Sequence, residues 1–295
     1  MDETRETALP HPILILAERL DTCWEAYRTE LKRIRSEFAE EYVHDLRVSI
    51  RRLIAVMDMG RAVAQRKKVK KSRELLKSYL DSFDRLRDAQ VQLVIVEEMQ
   101  AELPEVTPYR NRLREREKQQ IARLEKRIKE FSSAGLSKQV TRLETALRKK
   151  AVPETENALW TVMDEAYATL LERRTAVDAQ EVATIHQLRL AFKKFRYQAE
   201  TVQPLLVSTS EDLLRQLHEY QSAMGEIQDA EVGLQMLDDF TTKHKLELPT
   251  VRTRFIEMHQ ERITAFMAQI DNLQTFWRPA PDQPFPWETL KTETS

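Results

Sequence analysis

Apolar and polar positions alternate along this chain at helical spacing, and two segments show the pattern most sharply. A helix turns about 100° per residue. On that wheel Leu46, Ile50, Leu53 and Met57 fall on one side, and His44, Arg47 and Arg51 fall on the other. Further on, Leu188, Phe192, Phe195 and Ala199 repeat the apolar stripe, opposite His186, Arg189, Lys193 and Arg196. Each segment is read as a helix that buries one face and presents a basic one. Arg52 and Lys194 lie on the flank of the basic face.

Prolines set the limits of the helices. They stand at 10, 12, 104, 108, 153, 204 and 249, and again from 279 onward. Proline breaks a helix interior but is accepted in a first turn. The spacing predicts helices near 12–37, 41–62, 66–101, 107–132, 154–177, 180–203, 209–243 and 249–275. An extra connecting helix is expected over 136–150. After Pro279 an irregular tail is expected, pinned to the body by Phe285 and Trp287. The chain has only four glycines and is rich in good helix formers, so the fold class is all-α.

Several landmarks recur at a fixed distance. His44-Asp-Leu-Arg47…Arg51-Arg52 returns as His186-Gln-Leu-Arg189…Lys193-Lys194. Glu25-Ala-Tyr27 matches Glu165-Ala-Tyr167, Leu86-Arg-Asp88-Ala matches Ile227-Gln-Asp229-Ala, and Pro108 matches Pro249. The offsets are all between 140 and 142 and keep one order. An internal duplication follows: two four-helix bundles related by a pseudo-twofold axis. The expected limits are 1–135 for the first repeat, 136–153 for a connector, 154–278 for the second repeat and 279–295 for the tail.

Net charge is −1, so bulk charge predicts no polyanion partner. Local charge changes the picture. From His44 to Asp88 there are 13 Lys/Arg and 6 Asp/Glu, and from His186 to Tyr197 four Lys/Arg and no acid. Within the two nine-residue motifs Asp45 is the only acid, so few i,i+4 partners neutralise the basic stripes there. Clustered cations repel unless an anion or a buried acid compensates. Phosphate oxygens suit them, since arginine forks bind such oxygens through paired hydrogen bonds and lysine adds a point charge. Arg66, Lys70, Arg73 and Lys77 form a further stripe, read either as part of the same surface or as a solvated face. Asp88 and Asp229 hold equivalent places on the third helices. Each is expected to accept a hydrogen bond from a second-helix Arg or His and so fix its pose.

Other chemistries find little support. Cys23 is the only cysteine, which excludes an intrachain disulfide and a cysteine-rich metal site. The histidines follow no metal-ligand spacing. Four scattered glycines leave no phosphate-cradling loop, and no nucleophile elbow or Mg²⁺-holding acid set lies near the basic stripe. No catalytic residue, metal or cofactor is therefore expected. His44 and His186 are read either as packed structural rings or as phosphate contacts that gain a proton near neutrality. The first thirty residues carry no secretory pattern or membrane span, so a cytoplasmic setting without a membrane partner is the expectation.

At these residues the chain resembles the CHAD family, the conserved histidine α-helical domain. The likeness rests on the two His-x-Leu-Arg…basic-basic elements, on Phe195-Arg196-Tyr197, on Arg87-Asp88-Ala and on Gly225-Glu-Ile-Gln-Asp229-Ala. The resemblance covers about 12–275 and implies a basic groove that binds inorganic polyphosphate and associates with polyphosphate granules. Carried over residue by residue, its anion contacts are His44, Arg47, Arg51, Arg52, His186, Arg189, Lys193, Lys194 and Arg196. The chain departs from the family pattern at Ile54, where another arginine usually stands, and at Phe83-Asp84, where the second copy has Met224-Gly225. Many relatives carry a triphosphate-tunnel domain in front; this chain reads as a stand-alone module.

Three functions remain open, with an enzyme acting on phosphoanhydrides as a fourth and least supported. The first is non-catalytic polyphosphate binding. The second is binding of a nucleic-acid backbone, for which Tyr197 is the clear aromatic beside the second motif; base stacking generally needs several such platforms. The third is a granule-coat or interaction protein, which needs an exposed apolar face such as Ile13–Leu16 or the tail with Phe285 and Trp287.

Overall fold

The computed structural model describes residues 11–65, 69–206 and 211–288. Among the described residues every regular element is helical. The α-helices are α1 (Pro12–Ser36), α2 (Glu40–Ala64), α3 (Val69–Asp81), α4 (Asp84–Met99), α5 (Thr107–Glu130), α6 (Ala134–Lys150), α7 (Ala158–Thr175), α8 (Val182–Val202), α9 (Glu211–His244) and α10 (Pro249–Gln269). The chain is thus all-α, as its composition implies. No described helix is long and apolar enough to cross a membrane.

Proline enters where its missing N–H is harmless: Pro12 heads α1, Pro108 lies in the first turn of α5, and Pro249 heads α10. The His11 ring caps α1 by accepting from the Ile13 N–H at 3.2 Å. With glycine scarce, α2 and α9 stop on Gln65 and Lys245, both at φ 52°. That left-handed placement costs a residue with a Cβ about 1 kcal/mol.

The single helix expected over 66–101 is instead two. The N–H groups of Ser82 and Phe83 turn back three residues, to the carbonyls of Tyr79 and Leu80 at 3.2 and 3.0 Å. The Ser82 hydroxyl donates to the same Tyr79 carbonyl. This competition ends α3 and turns Phe83 fully into the core. Across the matching stretch of the second half, α9 runs unbroken.

Two apolar cores organise the molecule. The larger joins both halves of the chain: Tyr27 of α1, Leu46, Ile50 and Leu53 of α2, Tyr167 of α7, and Leu188, Phe192 and Phe195 of α8 all belong to it. Both apolar stripes read from the sequence are buried there. The segment expected to connect the halves folds as α6, which sets Leu136, Val140, Leu143 and Leu147 into this core beside α1 and α2. At the far end Phe276 and Trp277 do the corresponding work for α7 and α8, with Phe285 and Trp287 stacked outside them at 4.7 Å. The tail is tied down by Asp164, which accepts from Trp277 Nε1 at 2.8 Å and from Arg278 at 3.0 and 2.6 Å.

The smaller core lies where α4 and α5 meet α9 and α10, around Val96, Tyr109, Leu237 and Phe255. Near it α4 and α9 approach closely. Gln92 donates to the Asp229 carbonyl at 2.7 Å. A Cβ on Gly233 would stand 2.5 Å from Gln92 Oε1 and 2.5 Å from the Phe255 ring, so only glycine admits this approach. Gly233 stands 141 positions after Gln92. Positions that match at the sequence offset of 141 therefore meet, a contact compatible with the duplication expected from the sequence.

Candidate functional site

α2 and α8 pack against each other, and both sink their apolar stripes into the larger core. Their basic faces consequently share one region. Arg51 of α2 lies within electrostatic reach of Arg47 on its own helix and of Arg189 and Lys193 on α8. Burial, and then the neighbouring Arg51, pulls Arg47 down to about 10. Burial lowers Arg189 as well. Lys193 is drawn down to about 7, by burial first and then by Arg51 and Arg189. Cations held this close, partly out of water, raise one another's energy.

Three of these side chains leave a donor unused. The Nε atoms of Arg47, Arg51 and Arg189 are buried with no hydrogen-bond partner among the described residues. Each such atom costs on the order of 1–3 kcal/mol, which an incoming acceptor would relieve.

α4 and α9 bring carboxylates to the same region. Asp84 accepts from Arg47 at 3.4 Å. Burial pushes the Asp88 carboxyl up, and Asp84 and Asp229 add to the rise. Burial also raises Asp229, against the pull of Arg87, Arg189 and Arg262. The cluster is Arg47, Arg51, Arg87, Arg189 and Lys193 facing Asp84, Asp88 and Asp229. Cations outnumber acids, and compensation is partial. His44 and Lys194 are exposed on the same two helices. His186 is half-buried, with its Nδ1 hydrogen-bonded to the Gln228 side chain.

Several expected site residues do other work. Glu200 of α8 takes both Arg52, at 3.2 Å, and Arg196, at 3.1 Å. Arg196 also donates to Gln221 at 2.9 Å and lies over the Tyr197 ring at 4.4 Å. These groups brace α2, α8 and α9, and neither arginine is left free for a ligand. Arg52 points to the flank that its helical angle predicts. Arg196 shares the angle of Arg189 but sits two turns further along α8. Tyr197 is buried and offers no ring to a base.

The stripe on α3 is neutralised by its surroundings. Lys70 pairs with Glu74 at 3.8 Å, Arg73 with Asp58 at 3.2 Å and Lys77 with Asp81 at 2.7 Å. Of the two readings of these residues, the solvated face fits. Arg66 lies outside the described residues. The roles expected of Asp88 and Asp229 pass to neighbours, since Arg47 donates to Asp84 and His186 bonds Gln228. Asp88 and Asp229 act on the arginines through space instead.

Asp84, Arg87 and Gln228 thus join the site without having been singled out. Their signals were present: Arg87 and Gln228 precede Asp88 and Asp229 in the repeated segment, and Asp84 marks a departure from the other copy.

The CHAD domain model matches residues 18–238. The crystal structure of the CHAD domain from the plant Ricinus communis is similar over 97% of this chain and 93% of that one, with a TM-score of 0.55 and 18% identity. At that identity the likeness speaks for the fold alone. No curated protein matches the chain.

Proposed function

The chain belongs to the CHAD family, and from that premise we propose that it binds inorganic polyphosphate between α2 and α8 without cleaving it. The observation that carries this reading is the meeting of Arg47 and Arg51 with Arg189 and Lys193, three of them with an unpartnered Nε. A chain of phosphates supplies acceptors at short intervals and can bridge both helices. Arg87 adds a cation from α4, and Lys194 and His44 extend the surface outward. The phosphate identity comes from the family resemblance; the residues themselves argue for a polyanion. Retention on polyphosphate granules in the cytoplasm is part of the same proposal.

Base stacking by a nucleic acid loses its aromatic platforms, whereas backbone binding needs none and is judged by the titration below. Tyr197 is buried, and so are Tyr79 and Phe83. A granule-coat reading loses its apolar face, because Ile13 and Leu16 are buried and Phe285 stacks on Trp287.

The test is a titration with long-chain polyphosphate, RNA and duplex DNA across a salt series. Polyphosphate is expected to bind at least about tenfold tighter than either nucleic acid near 150 mM salt, with affinity falling steeply as salt rises. Arg47→Glu combined with Arg189→Glu should abolish binding while circular dichroism keeps its helical signal. Wild-type affinity in that double variant would move the site elsewhere.

A further inference from the structure

We infer that Asp84 sets the affinity of this site by occupying Arg47 in the ligand's place, so that a polyanion gains Arg47 only by displacing it. The inference rests on the anion site just proposed. Arg47 is a deeply placed cation, its side chain only 10% exposed, and Asp84 meets it at 3.4 Å from a side chain that is 56% exposed. An acid so exposed can swing into water when a stronger acceptor arrives. Asp84 also lies near Arg189 and Lys193, so its charge reaches both helices of the site.

The second repeat supplies the contrast. The offset that aligns Asp88 with Asp229 aligns Asp84 with Gly225. Position 225, the counterpart of Asp84, thus offers no carboxylate to Arg189, the counterpart of Arg47. A Cβ on Gly225 would meet nothing within 4 Å, so the glycine is not demanded by packing. Arg47 has a carboxylate at hydrogen-bonding distance, whereas Arg189 feels Asp229 and Asp84 only through space. An anion accordingly enters at the Arg51–Arg189–Lys193 side and recruits Arg47 last.

Two variants and a control test this. Asp84→Asn keeps the side chain's size, Asp84→Gly copies the second repeat, and Asp81→Asn removes a nearby exposed acid that pairs with Lys77 on α3. Near 150 mM salt, polyphosphate affinity should rise about fivefold in both Asp84 variants, the order expected for a half-exposed ion pair. The slope of log affinity against log salt should steepen by about 0.7, the signature of one more neutralised phosphate. Asp81→Asn should change neither.

A second readout is independent of polyphosphate. At low salt, inorganic phosphate should raise the thermal unfolding midpoint of Asp84→Asn by more than it raises the wild type's. If the wild-type protein fails to bind polyphosphate yet Asp84→Asn responds to phosphate in this way, the proposed ligand is wrong and the role of Asp84 stands. If affinity falls in the Asp84 variants, Asp84 positions Arg47 for the ligand and the inference is overturned. It is equally overturned if neither affinity nor the phosphate response rises.

Discussion

Each half of the chain leaves a trough along its first two helices, and the two troughs are filled by unlike material. In the first half α6 lays Leu136, Val140, Leu143 and Leu147 against α1 and α2. The described residues beyond α10 fill the second trough differently. Phe276 and Trp277 fill the trough instead, backed by Phe285 and Trp287 and held by Asp164. Leu136 and Trp277 are themselves 141 residues apart, so the fillers occupy matching places in the repeat. The space is retained between the halves, and its occupant is not. Close packing requires only that the volume be filled. The basic faces differ in a similar way, for Arg47 donates a hydrogen bond to Asp84 while Arg189 has Asp229 only through space and a glycine at the place matching Asp84.

Removing one filler from each half gives the largest expected effect. Trp277 is fully buried and donates a hydrogen bond to Asp164. Trp277→Ala should cost about 4 kcal/mol through the cavity it leaves and the hydrogen bond lost to Asp164, which keeps Arg278 alone. Leu143→Ala, in α6, should cost about 3 kcal/mol. Chemical denaturation monitored by circular dichroism measures both. A loss below about 1 kcal/mol for Trp277→Ala would mean the tail covers the second half without supporting it.

The next comparison concerns the two arginines. Arg189→Gln should weaken polyphosphate binding about thirtyfold, the worth of a charged hydrogen bond in a partly dry site. Arg47→Gln made together with Asp84→Asn removes a pair that already compensates itself. That double variant should stay within about threefold of wild type. Equal losses in the two proteins would erase the asymmetry between the halves. Titration of both with one polyphosphate preparation at fixed salt settles the matter.

What could be read from the sequence divides along a physical line. Stripes within one helix were legible, because helical angle depends only on spacing: Leu46, Ile50 and Leu53 are buried, and Arg47 and Arg51 share the other side. Helix entries at Pro12, Pro108 and Pro249 were legible for the same local reason. The break at Ser82 was not, since it turns on one hydroxyl taking a backbone carbonyl. Contacts between helices were the least legible. Arg52 and Glu200 are 148 residues apart, and no periodicity says that one will reach the other. The same holds for Arg73 with Asp58, where two helices must first be set side by side. Sequence places charges on faces, and only helix packing decides which faces neutralise each other.

The smallest effect separates the lysine of one copy from the arginine of the other. Arg51 and Lys193 hold matching places, and only the lysine can lose its proton near neutrality. Lys193 has Arg47, Arg51 and Arg189 around it and Asp84 as counter-charge, and burial in that company draws it down to about 7. A bound phosphate chain adds negative charge and holds the proton on. Affinity should therefore rise as pH falls from 8 to 6, by about tenfold for uptake of one proton. The stability of the ligand-free protein should run the other way. Between pH 7 and the ordinary lysine value of about 10.4, the unfolded chain binds a proton that the folded chain lacks, so stability increases with pH across that window. Lys193→Met should remove the step in affinity, whereas His44→Gln with His186→Gln should leave it. A step that survives Lys193→Met and disappears with the two histidines would assign the proton to imidazole and make the two copies alike in this respect.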